Sequence, residues 1–255
     1  MFSKINYNRL YWVLFLLFIA GVLYSGIRNK KYSTAEGIEA KVIPLEGGEK
    51  LIDERDVKMA LVRAFGTGLE NTELKRLEID LMERTLEADP FVLNAEMYID
   101  QNNTLHVEIE QRQPVLRVLD NQGGNYYLDE HGVKMPPSKN FAARVMVVTG
   151  NISPYTPEFR QKRRSTLKDA FYIAQIVQQD AFLSHFIQQI HANNAGEFTM
   201  VPLVGDQKIL LGSARKLEDK LQRLKTFYQK AMPYTGWQIY QRINLKFDGQ
   251  VVCSR

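Results

Sequence analysis

The residues best able to do chemistry are four histidines, one cysteine and a short basic run. His106, Glu108 and Glu110 alternate along one side of an expected strand, which puts an imidazole and two carboxylates on one face. A metal site or an acid–base pair could be built from such a set. The same pattern, with Leu105, Val107 and Ile109 on the other side, is also what a half-exposed sheet requires, and that simpler reading is preferred. His185 and His191 are six apart, the wrong spacing for one helical face, and are expected at opposite ends of a strand. His131 falls in a turn. Cys253 has no histidine near it in sequence, and a single thiol makes neither an internal disulfide nor a cysteine-rich zinc site. Gly66-Thr-Gly68 lacks the Lys-Ser/Thr of a phosphate loop. No Gly-x-Ser-x-Gly nucleophile turn is present. Nothing assembles nucleophile, base and oxyanion donors, so the chain is read as not an enzyme, with no cofactor, metal or small-molecule substrate. The run Arg160-Gln-Lys162-Arg163-Arg164 reads as a solvated loop or helix face, or as a contact to anionic headgroups or a partner.

The elements that must carry these residues follow from length and pattern. The chain has 255 residues, 45% hydrophobic and 24% charged, which excludes a largely disordered or low-complexity protein and allows one or two domains. Its net charge of +4 suggests nucleic acid until it is located. Residues 1–31 carry five cations and no acid, so residues 32–255 sum to −1. A nucleic-acid binder needs a basic body, and this body is neutral.

Leu10 to Ile27 is an uncharged run of 18 residues. As a helix it is about 27 Å long, close to the roughly 30 Å of a hydrocarbon core. Tyr7, Tyr11, Trp12 and Tyr24 sit at its ends, where interfacial aromatics belong. A cleaved signal peptide would have a shorter apolar core and a small-x-small site, which Tyr24 to Arg28 does not offer. A buried core helix would show a polar face. Flanking cations are nearly balanced, so charge leaves the direction of the span open.

Beyond it, residues 36–45 read as a strand. Val57, Ala60, Leu61, Ala64 and Phe65 mark a helix capped by Asp53 and stopped at Gly66. A second helix is expected from a Thr72 cap through Leu74, Leu77, Leu81, Met82 and Leu86 to Asp89-Pro90. Strands follow at 92–99 and 104–110, giving a small three-stranded sheet with helices on one face. From Pro114 the chain becomes β-rich: strands at 115–119, 125–129 and 144–149, a helix over 166–179, and strands near 186–192, 197–203 and 207–211. Ser213 is expected to cap a third helix, with Leu217, Leu221, Leu224 and Phe227 inward and Lys216, Lys220, Arg223 and Lys230 outward. The Asp248-Gly249 turn is expected to join 239–247 and 250–253 in a hairpin. The fold class is therefore α+β. The divisions are a tail at 1–9, a span at 10–27, a linker at 28–35, a small domain at 36–112 and a larger β-rich domain at 113–255.

This order of pieces, with its local signatures, resembles the FtsQ/DivIB cell-division family, and the small domain resembles a POTRA domain. Thr104-Leu-His-Val-Glu-Ile-Glu-Gln-Arg-Gln-Pro114-Val is similar to the family's closing pattern of that domain. Tyr127-Leu-Asp129-Glu-His-Gly132 resembles its next hairpin, and Leu210-Leu-Gly212 the approach to its amphipathic helix. Ile243-Asn-Leu-Lys-Phe-Asp248 resembles its last hairpin, with Asn244, Lys246 and Phe247 where the family has Asp, Arg and Tyr. Lysine cannot fork onto a carboxylate as arginine does, and phenylalanine lacks the hydroxyl.

The resemblance implies a single-pass type II protein of the cell inner membrane, tail in the cytoplasm and body in the periplasm, acting at the septum as a divisome scaffold without catalysis. It implies FtsB/FtsL-type single-span coiled-coil partners and, through them, FtsW and FtsI, which make septal wall. Lys246, Phe247, Gln250, Val251, Val252 and Cys253 are the candidate docking residues: an edge strand at 250–253, an apolar anchor at Phe247, and Lys246 for a partner acid. If Phe247 instead continues the Ile243, Leu245 face, the tail merely frays. Two other classes stay open: a membrane-anchored envelope enzyme, and a POTRA-bearing secretion component, which would need a many-stranded barrel.

Overall fold

The computed structural model describes residues 11–12, 14–22, 33–69, 71–237 and 239–255. The expected tail 1–9, both ends of the expected span and most of the linker lie outside the described residues. Residues 11–12 and 14–22 are helical, and each of them is exposed. Among the described residues no helix is long and apolar enough to cross a membrane. The chain divides into two compact units, ending and beginning at Gln111 and Arg112.

The first unit holds a three-stranded sheet of order β1-β3-β2, where β1 is Gly37–Ile43, β2 is Val92–Ile99 and β3 is Thr104–Gln111. β1 runs parallel to β3, and β2 antiparallel. Alternation sends Ile38, Val42, Val92, Ala95, Met97, Leu105, Val107 and Ile109 into one core with Val57, Leu61, Met82 and Leu86 from two helices. The Glu54–Phe65 helix starts in a capping box: Asp53 Oδ1 accepts from Asp56 N–H, and Asp56 Oδ2 accepts from Asp53 N–H. Buried Gln111 then ties the end of β3 to this unit. Its Oε1 accepts from Leu51 and Ile52 N–H, and its Nε2 donates to the Ile43 carbonyl.

The second helix is shorter than its apolar spacing predicts. Leu74–Arg76 is a single 3₁₀ turn, and the α-helix runs only over Ile79–Glu87. The reason is tertiary. Asn71 N–H donates to Ala35, Ala35 N–H to Thr72 and Leu74 N–H to Ser33, so the backbone of 71–74 is used by the strand-like segment before β1. Thr72 caps nothing; its hydroxyl donates to the Gly68 carbonyl.

The second unit is built on a nine-stranded sheet of order β12-β11-β10-β9-β8-β7-β4-β5-β6. In chain order these are β4 (Pro114–Asp120), β5 (Asn125–Asp129), β6 (Lys134–Met135), β7 (Met146–Gly150), β8 (Ile187–Ala192), β9 (Phe198–Pro202), β10 (Lys208–Gly212), β11 (Arg242–Asn244) and β12 (Val252–Ser254). The helices Thr166–Gln179, Ala181–Phe186 and Leu217–Thr226 bury their apolar stripes with the sheet in one core. The β5–β6 turn explains the Tyr-x-Asp-x-x-Gly motif. Asp129 Oδ1 accepts from His131 and Val133 N–H, its Oδ2 accepts from Arg112 Nη1 at 3.0 Å, and Gly132 takes φ +79°.

Three expectations change here. Ser213 is not a cap: the third helix begins after Lys216, which is left-handed at φ 53°. His185 lies in the short Ala181–Phe186 helix rather than at the end of a strand, while His191 lies in β8. The last hairpin is shorter than expected. β11 and β12 pair only from Arg242↔Ser254 to Asn244↔Val252, and residues 245–251 form the connection.

Candidate functional site: the β12 edge and its clamped loop

β12 is the outermost strand of the nine-stranded sheet, with β11 on its inner side. Such a strand presents main-chain groups on which another chain can pair. Within it Val252 and Ser254 are exposed, while Cys253 is half-buried against the core opposite Ile243. Burial pushes the Cys253 thiol up from its ordinary pKa, so it behaves as a small apolar group. Of the four expected edge residues, Val252 and Cys253 lie in the strand and Gln250 and Val251 in its lead-in. Ser254 also belongs to the strand, and the register differs by one residue from that of a tight turn at Asp248-Gly249: Ile243 faces Cys253 rather than Ser254.

Lys246 and Phe247 sit in the 245–251 connection. Leu245 is fully buried, but Phe247 is 54% exposed, so the core face of β11 does not continue through it. Lys246 is already engaged: its Nζ lies 2.7 Å from Glu197 Oε2. Lys246 holds the Glu197 carboxyl below its ordinary pKa by hydrogen bonding and charge.

The connection is held from below by one helix. Lys220 and Arg223, three apart, share a face of Leu217–Thr226, and left-handed Lys216 immediately precedes the helix. Lys216 Nζ meets Asp248 Oδ2 at 2.6 Å and depresses that carboxyl's pKa. Arg223 Nη1 donates to the Phe247 carbonyl at 3.0 Å and also to the Gln250 carbonyl, while its Nε bonds Asp219. Lys220 is buried, and its ammonium donates to the carbonyls of Leu211 at 2.9 Å and Ser213 at 2.8 Å. Burial, with the nearby Arg223 charge, lowers its pKa. Lys220 was expected to face outward with the others, and that expectation is corrected: Lys220 and Arg223 hold backbone carbonyls, and Lys216 pairs with a carboxylate. Leu245 N–H donating to the Leu210 carbonyl, and Lys246 N–H to Asn244 Oδ1, complete the loop.

The other chemistry-bearing residues are dispersed. His106 lies between Asp100 Oδ2 at 3.2 Å and Glu39 Oε2 at 3.6 Å and stacks on Tyr98, and Glu108 pairs with Lys41. His191 Nδ1 meets the Thr149 hydroxyl, and His185 Nδ1 the Ala181 carbonyl. Among the described residues no group of three or more His, Cys, Asp or Glu is placed to hold a metal ion.

With this geometry in place, comparison with known proteins separates the units. Residues 42–110 match the POTRA-like domain, a class of small α+β module. Residues 113–254 match the family described as FtsQ/DivIB, C-terminal related, and this match covers more than half of the chain. The chain belongs to the FtsQ/DivIB family. It is 26% identical over 167 residues to the cell division protein FtsQ of Rhodothermus marinus, an alignment covering 64% of this chain and 60% of that relative's length.

Proposed function

We propose that the chain is a non-catalytic scaffold of the bacterial divisome, anchored by residues 10–27 with its tail cytoplasmic and its body periplasmic. In this reading the protein resides in the inner membrane at the septum. Its β12 edge accepts a strand from an FtsB/FtsL-type single-span coiled-coil partner, which connects it to FtsW/FtsI and septal wall synthesis. The observation that carries the proposal is the outermost strand β12 beside a loop whose backbone is pinned while Phe247 stays exposed. A rigid exposed aromatic beside a strand edge is the arrangement a β-augmenting partner uses: main-chain bonds for affinity and a side-chain anchor for specificity. Lys246 would exchange Glu197 for a partner carboxylate.

The test is co-purification of the full chain, a version ending at Phe247, and Phe247→Ala. Short single-span partners that accompany the full chain, vanish with the truncation and fall with Phe247→Ala support the reading. Partners retained by both variants would move the site elsewhere, and no membrane partner with any version would overturn the scaffold role. Phe247→Ala guards against a truncation that fails to fold, because the exposed ring contributes little to the core.

A further inference from the structure

We propose that the loop carrying Lys162, Arg163 and Arg164 is a contact for the anionic surface of a lipid bilayer. The loop is a fixed platform rather than a loose tail. Phe159 before it is fully buried, and Ser165 after it is buried as the cap of the Thr166–Gln179 helix. Lys168 Nζ donates to the Lys162 carbonyl, and Arg160 donates to the His131 carbonyl while lying over the Phe171 ring. Arg160 is thereby used inside the unit. Lys162, Arg163 and Arg164 are exposed, and among the described residues none of the three is ion-paired with a carboxylate. Three uncompensated cations in succession, held at both ends, form a positive patch on a body whose residues 32–255 sum to −1.

The charge and the rest of the chain select the partner. Guanidinium groups match phosphate oxygens bidentately. A single-stranded nucleic acid would also call for exposed stacking aromatics among the cations, and Phe159 beside them is buried; a duplex calls for a basic body, and residues 32–255 sum to −1. A bilayer, in contrast, is demanded elsewhere in the molecule. Residues 11–12 and 14–22 form a helix with Leu14, Phe15, Leu16, Leu17 and Phe18 all exposed, a surface that water does not accommodate. A chain tethered to a bilayer meets its headgroups at high effective concentration, so weak cationic contacts suffice. Three such charges multiply affinity for an anionic surface by about a hundredfold. This rests on the reading of residues 10–27 as a bilayer span.

The test places the full chain in lipid nanodiscs of phosphatidylglycerol with phosphatidylcholine, or of phosphatidylcholine alone, and follows trypsin cleavage after Lys162, Arg163 and Arg164 against cleavage after Lys139. The expected result is cleavage of the run slowed about tenfold or more in the anionic discs only, with protection lost in about 1 M salt, where the screening length is about 3 Å. R163Q/R164Q, which keeps the Lys162 site and the fold, should be cut equally in both discs. Equal cleavage of the natural chain in the two discs would overturn the proposal. So would protection by inorganic phosphate added to phosphatidylcholine discs, which would assign the patch to a soluble anion. Failure of the chain to insert into either disc would overturn the span itself, a separate outcome seen in the assembly step.

Discussion

Lys246 reaches Glu197 by crossing β10 at Gly212, and the two charges meet at 2.7 Å on the surface of the sheet. A Cβ on Gly212 would lie 3.0 Å from Lys246 Cγ, and the residue holds φ +72°. Two independent demands thus fall on one position. The glycine of the Leu210-Leu-Gly212 motif leaves a channel for a side chain from the last hairpin.

Replacing Gly212 by alanine is therefore expected to cost about 1–2 kcal/mol from the left-handed backbone alone. Denaturant unfolding measures this, and amide exchange at 244–246 shows whether Lys246 has been displaced. Glu197→Gln, in contrast, should cost at most about 1 kcal/mol, because both partners are substantially exposed. If Gly212→Ala proves neutral, the crossing has no structural weight.

Lys220→Met is expected to change the alkaline behaviour of stability. The folded-state pKa of Lys220 lies below 10.5, so the unfolded chain binds more protons just under that value and stability rises with pH there. The natural chain should gain stability relative to Lys220→Met as pH rises from the lowered folded value towards 10.5. Tyr126 and Tyr228, whose pKa values burial raises, withdraw stability above 10.0 in both proteins and cancel in the difference. A difference flat across that window would mean that Lys220 is not buried as an ammonium.

Asp180 joins three helices. Its side chain accepts from Phe182 and Leu183 N–H at the start of Ala181–Phe186, and Lys225 of Leu217–Thr226 lies 2.6 Å away. The residue also ends Thr166–Gln179. Asp180→Ala should cost about 1–2 kcal/mol, and Asp180→Asn less, since asparagine caps equally well. Lys225 holds the carboxyl below its ordinary 3.8, so the ionic part is present above that pH and is lost as pH falls through the folded value. Urea midpoints of the two variants at neutral and acid pH separate cap from ion pair.

Arg223→Lys tests the clamp. One ammonium cannot replace the guanidinium at Phe247, Gln250 and Asp219 together, so amides of 247–251 should exchange about tenfold faster while the central strands keep their protection. Unchanged exchange in the loop would show that the hairpin holds itself.

Much of this architecture is legible in the residues. Thr166–Gln179 follows directly from its apolar spacing, and β3 from the alternation of Leu105, Val107 and Ile109. The failures share a cause: a distant backbone took a partner that local pattern cannot see. Residues 33–35 drew 71–74 out of the expected helix. Lys220 sits on the flank of the Leu217, Leu221, Leu224 stripe, where only the carbonyls of Leu211 and Ser213 decide between water and burial. The candidate docking residues rest on their position in the sequence, and the groups that hold them are not visible there. Lys216 and Arg223 read as a solvated face, and nothing in sequence joins Glu197 to Lys246.

From β7 to β12, neighbours in the sheet are also neighbours in the chain, and only the β4–β7 contact skips. A sheet laid down in this order has a gradient of persistence. Each strand rests on the one before, and opening can begin at the free side without disturbing the rest. With three paired positions, β12 stands at the shallow end of that gradient. Along the run from β7 to β12 it is the segment expected to open first. A strand bound along its outer side would make it internal, and the slowest-exchanging boundary of the domain would move outward by one strand. Occupancy of the edge would then be recorded as kinetic protection of β12, even where no atom of the core moves.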